Sequence, residues 1–140
     1  MGIKESDIIL FGRSMGSGPT TYVSSVRSPY ALILMSGYTS IQNAAKSILG
    51  WASILGFIIY EKFRNIDVIK NAKCPVLIVH GKKDNLIPVQ HSMDLFENCN
   101  QPCYLFIPLK MDHNEFQIEE DLCQPIKAFI RKIEERIAVQ

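Results

Sequence analysis

The chain has almost no excess of charge of either sign. Across 140 residues, 15 Lys and Arg stand against 14 Asp and Glu, a formal net charge of +1. Its basic residues are scattered and form no stripe with aromatics, so nucleic acid is not expected as a partner. It also lacks a run long enough to cross a bilayer. The most apolar stretch, "ILGWASILGFIIY" over 48–60, is far shorter than the ~20 residues a spanning helix needs. The opening "MGIKESD" has no apolar core of the kind a secretory signal carries, although Gly2 and Ser6 fit the loose N-myristoylation pattern. Cysteine is sparse and badly spaced for metal. Cys74, Cys99, Cys103 and Cys123 form no C-x-x-C pair and no Cys–His spacing, which argues against a zinc site. No metal and no cofactor are expected. Cys99 and Cys103 flank a short loop that a disulfide could bridge, but reduced thiols in a reducing compartment are the simpler reading. A cytoplasmic location, with peripheral membrane contact through 48–60, fits these absences.

What is present is an ordinary globular composition, 47% hydrophobic and 21% charged. A single domain over 1–140 is expected, large enough to bury about 68–70% of its unfolded surface. Four short apolar runs, "IILF" (8–11), "ALILM" (31–35), "PVLIV" (75–79) and "YLFIPL" (104–109), are continuous rather than alternating. That is how parallel strands covered on both faces read. Helical patterns fall between and after them, at about 19–26, 41–60, 89–98 and 125–139. In the last, Ile126, Phe129, Ile130, Ile133 and Ile137 make one apolar stripe. The alternation predicts an α/β fold, a three-layer α/β/α sandwich on a mostly parallel sheet of about four strands. The segment 41–60 would form a buried or lid-like helix, or offer its apolar surface to a lipid-like substrate.

Chemistry concentrates at three strand ends. "GRSMG" (12–16) is G-x-S-x-G, a pattern that presents a serine on a sharp strand-to-helix turn, with glycines on either side for close backbone approach. By composition alone, a random chain this long shows it about one time in twenty, so context has to decide. An apolar strand precedes it and a helix pattern with an early proline follows. In "VLIVHGKKDNLIP", Asp84 lies just past a strand end, and in "IPLKMDHNEF" His113 lies just past the next. The chain order Ser…Asp…His is that of the α/β-hydrolase triad. Ser14 would be the nucleophile, His113 the base and Asp84 the group orienting the imidazole. Each has a plainer reading: Ser14 as a helix cap, Asp84 as a turn former, His113 as a solvated loop residue. His80, before Gly81 at a strand end, is expected to be a structural histidine. His91 is expected to be exposed, Arg13 to be a surface or gate residue, and Asp112 and Glu115 to be solvated charges that could stand in for Asp84.

Together "DIILFGRSMGSGPT", "ALILMSGYTS", "VIKNAKCPVLIVHGKKDNLIP", "HSMDLFENC" and "MDHNEF" resemble the α/β-hydrolase superfamily, and most nearly its protein-depalmitoylase subgroup. The resemblance runs over nearly the whole chain. It implies a serine hydrolase acting on carboxylic esters or thioesters, including palmitoyl thioesters on proteins. It implies the triad Ser14, Asp84 and His113, with the Met15 backbone N–H as one oxyanion donor. Two departures stand out: Met111-Asp112 where the family usually has small residues before the histidine, and Gly37 where it often has proline.

Family members carry several strands before the nucleophile strand, and these supply the second oxyanion donor. Here only Gly2–Ser6 precede it, so the chain looks like a C-terminal half, with strand 8–11 left as a sheet edge open to a second copy. The competing expectations are a hydrolase-fold fragment that works as a binding or assembly module, and a serine peptidase.

Overall fold

The computed structural model describes residues 2–49 and 63–139. Four strands, β1 (Ile9–Arg13), β2 (Ala31–Met35), β3 (Val76–Val79) and β4 (Cys103–Phe106), form one sheet in the order β1-β2-β3-β4. Every neighbouring pair is parallel, with Arg13 beside Met35 and Met35 beside Val79. All nine residues of β2 and β3 are buried, which is why those two runs read as unbroken apolar segments. Five α-helices are described: α1 (Ser17–Val26), α2 (Ile41–Leu49), α3 (Asn65–Val68), α4 (Gln90–Glu97) and α5 (Gln124–Ala138). A π-helical stretch, Ile118–Cys123, leads into α5.

The pleat divides the core. Ala31, Ile33, Met35, Leu77 and Val79 pack with Phe129 and Ile133 of α5 on one face. Leu32, Leu34, Val76 and Ile78 pack with Ile69 and with Leu95 of α4 on the other. The result is the expected three-layer sandwich. The stripe predicted for the last helix faces the sheet through Phe129 and Ile133, but its outer end, Ile137, is 60% exposed. Fifteen helical residues span about 22 Å, whereas a four-residue strand such as β4 spans about 13 Å, so α5 outruns the sheet. At the β1 edge Ile9 and Phe11 are 41% and 45% exposed.

The predicted helix over 41–60 is present as α2 as far as Leu49; the remainder, and with it most of the apolar stretch 48–60, lies outside the described residues. Among the described residues no helix is long and apolar enough to cross a membrane, and no cluster of possible metal ligands occurs. All four cysteines are free thiols. Burial pushes the Cys74 thiol up to about 12, while the neighbouring Cys103 lowers Cys99.

Candidate active site

At the carboxyl end of β1 the chain turns sharply through a 3-10 turn, Ser14–Gly16, straight into α1. Ser14 adopts φ 49°, the left-handed region that a side chain seldom visits. The turn is tied down from within: Ser17 Oγ donates to the Ser14 carbonyl at 2.7 Å, and Thr20 Oγ1 to the Gly16 carbonyl at 2.9 Å. Gly12 is needed here. A Cβ on it would lie 2.1 Å from Thr20 Oγ1 and 2.7 Å from the Gly16 carbonyl oxygen. Gly16 differs from expectation, because a Cβ there would meet nothing within 4 Å. The close approach is between strand and helix at Gly12, and Gly16 lies on the outer side of the turn.

Asp84 follows β3 in a short turn. Its Oδ1 accepts from the N–H groups of Leu86 (3.0 Å) and Ile87 (2.8 Å). So it does build a turn, as its plainer reading held, but its second oxygen faces elsewhere. Asp84 Oδ2 lies 2.8 Å from His113 Nδ1 and 3.3 Å from His80 Nε2. Burial alone would push this carboxyl up; hydrogen bonds from His80, the Ile87 N–H and His113 outweigh it and hold the group well below the usual carboxylate range.

His113 sits in the loop between β4 and the π-helical stretch, 5% exposed. Its Nδ1 meets Asp84, and its Nε2 lies 3.2 Å from Ser14 Oγ. The three strand ends singled out in the sequence therefore bring their side chains into one hydrogen-bonded row. A carboxylate on Nδ1 fixes the tautomer with hydrogen on Nδ1, which leaves Nε2 as the acceptor facing the serine hydroxyl. The Met15 N–H follows Ser14 in the same turn. Gly81 lets the His113 loop come close, since a Cβ there would lie 2.3 Å from the Met111 carbonyl oxygen. Met111 itself is 1% exposed and joins the α5-side core. Its bulk is absorbed by that core.

His80 is structural, as expected. It is fully buried, its Nε2 donates to the Ile87 carbonyl at 2.7 Å, and its Nδ1 is 2.6 Å from Ser92 Oγ. His91 corrects the expectation of exposure: it is buried on α4, with Nδ1 2.8 Å from Thr39 Oγ1, and burial lowers its pKa. Its spacing to Leu95, one helical turn on, was the available signal. Asp112 does not replace Asp84; it accepts from the His113 backbone N–H. Glu115 is exposed and contributes its backbone carbonyl, to the Asp112 N–H at 2.8 Å. Arg13 is half-buried rather than free on the surface. Its Nη2 donates to the His113 carbonyl at 2.6 Å and to Asn114 Oδ1 at 3.1 Å. Contacts across a hundred residues leave no local pattern in a sequence, so no signal could have found them.

Residues 20–99 match the family model described as BD-FAE. The chain belongs to the BD-FAE family. Among curated relatives, it is 29% identical over 129 residues to alpha/beta hydrolase domain-containing protein 17B of Homo sapiens, covering 92% of this chain and 43% of that protein. It is 26% identical over 132 residues to alpha/beta hydrolase domain-containing protein aho-3 of Caenorhabditis elegans, covering 92% and 37%. The chain thus spans about two fifths of the length of these relatives. Among solved structures, Est1E from Butyrivibrio proteoclasticus superposes with a TM-score of 0.71 at 21% identity, over 92% of this chain and 62% of that one. The esterase domain of a Rhodothermus marinus protein gives 0.67 at 14%, over 90% and 59%. This BD-FAE member has a partial α/β-hydrolase fold.

Proposed function

We propose that the chain carries the nucleophile, acid and base of a serine hydrolase that cleaves carboxylic esters or thioesters. The observation carrying this reading is the row Ser14 Oγ, His113 Nε2, His113 Nδ1, Asp84 Oδ2, with successive gaps of 3.2 and 2.8 Å. Ser14 Oγ attacks the acyl carbonyl while His113 Nε2 takes its proton; the imidazolium that forms is stabilised by Asp84, which stays ionised. The Met15 N–H, at the mouth of α1, faces the developing oxyanion. His113 then hands its proton to the leaving alcohol or thiol. Water, activated by the same imidazole, releases the acid and restores Ser14.

Long-chain acyl thioesters on proteins are the substrates we favour within this class. The exposed Met15 side chain beside the nucleophile and the apolar stretch 48–60 both suit an acyl chain, and peripheral membrane contact would follow from such a substrate. A series of p-nitrophenyl esters and acyl thioesters of rising chain length tests this, with Ser14→Ala as control. Rates that rise with chain length and vanish in Ser14→Ala support it. A steep preference for short chains would discard the long-chain version, and turnover that survives Ser14→Ala would discard the serine mechanism.

One observation favours a second reading, that the isolated chain assembles through β1, leaving Ile9 and Phe11 to pair with a second copy. Light scattering at high concentration checks it: a species of 15.9 kDa alone would count against assembly.

A further inference from the structure

The His113 imidazole is held at both nitrogens, but its backbone lies in an irregular loop between Phe106, the end of β4, and Ile118. Within that loop the bonds are local: the Asp112 N–H donates to the Glu115 carbonyl at 2.8 Å, and the His113 N–H to the Asp112 carboxylate. The neighbouring Lys83 N–H reaches the Met111 carbonyl at 3.1 Å. One side chain reaches the His113 carbonyl, and it comes from the residue immediately before Ser14. We propose that Arg13 is a positioning residue for the Ser14–His113 pair, its guanidinium tying the His113 backbone to the strand end that presents the serine.

Three points of the loop meet this one group. Nη2 donates to the His113 carbonyl at 2.6 Å and to Asn114 Oδ1 at 3.1 Å, and the guanidinium carbon sits 5.6 Å from the centre of the Phe116 ring. Charge-assisted donation is short and strong, and the cation–π contact with the ring adds a weaker attraction. Arg13 Nε is left buried without a partner among the described residues, so satisfying its own donors does not explain the placement. Because Arg13 and Ser14 are consecutive, the clamp sets the distance between hydroxyl and imidazole directly. Lysine would keep the charge but lose the planar fork that spans carbonyl and amide.

The inference rests on the serine-hydrolase reading, and its test separates the two. The 140-residue chain, Arg13→Ala, Arg13→Lys, Ser14→Ala and Asp84→Asn are treated with a fluorophosphonate probe, and kinact and KI are measured separately. The downfield proton of the His113 Nδ1–H···Asp84 bond is followed by NMR, with melting curves for each variant. A misplacement near 1 Å costs about 100-fold, so Arg13→Ala should lose about that in kinact while KI holds and the variant still melts in a single transition. Arg13→Lys should recover only part of the loss, added ethylguanidinium should restore part of the Arg13→Ala rate, and the downfield proton should shift or broaden. Ser14→Ala keeps that proton and Asp84→Asn removes it. Wild-type kinact with an unmoved proton in Arg13→Ala overturns the role of Arg13. So does a lowered melting temperature with normal kinact in the folded fraction. Should Arg13→Ala fail to fold, Arg13→Lys carries the same comparison. A wild-type chain that takes no probe, or a Ser14→Ala chain that still does, overturns the hydrolase reading and the inference with it.

Discussion

Ser14 and Ser36 occupy equivalent places at the ends of adjacent parallel strands, and both adopt φ 49°. Ser36 is fully buried, and its hydroxyl has no partner among the described residues. Ser14 is half-buried, and its hydroxyl faces an imidazole whose other nitrogen meets a carboxylate. Left-handed backbone at a serine is therefore not itself a sign of chemistry here; it recurs where the sheet hands over to a loop or helix. What distinguishes Ser14 is the pair of loops after β3 and β4 that aim Asp84 and His113 at it. Strain is shared, and facing partners are not.

That contrast can be broken at its strongest point. Asp84→Asn leaves the shape of the site but no longer fixes the His113 tautomer, and should lower the rate of acyl transfer by about 10,000-fold; steady-state kinetics on an activated ester checks it. The same substitution bears on acid stability. The folded-state pKa of Asp84 is depressed, so its contribution is fully present above the unfolded value of about 3.9 and is lost as pH falls through the folded one. Urea titrations from pH 5 downward should find the wild type losing stability more steeply than Asp84→Asn.

The turn itself gives the next largest effect. Gly12→Ala drives a Cβ into Thr20 and the Gly16 carbonyl and should cost about 1–3 kcal/mol. Gly16→Ala, facing open space, should stay within about 0.5 kcal/mol. Chemical denaturation of the two variants side by side would show whether the glycines of the pattern are equivalent. The change expected at the mirror serine has the opposite sign. Ser36→Gly removes a buried unpaired hydroxyl and relaxes the left-handed backbone, and should stabilise the fold by about 1 kcal/mol without altering probe labelling.

The architecture was legible because its signals are local. Unbroken runs such as "ALILM" and "VLIV" mark strands covered on both faces, and the order Ser14, Asp84, His113 places one polar residue after each of three strands. Boundaries moved where backbone chemistry intervened: β3 begins at Val76, since Pro75 has no N–H to donate to a ladder. What escaped was non-local. The Arg13 clamp depends on a loop one hundred residues away, and the idle side of Gly16 on how α1 leaves the strand. His91 is a different case, since its helical spacing to Leu95 does point inward.

The most direct test of the central claim is the intact mass of the chain after incubation with a fluorophosphonate, beside Ser14→Ala and His113→Ala. The account predicts a single adduct in the wild type that both substitutions abolish. No adduct on the wild type, or one that persists without Ser14, would contradict it.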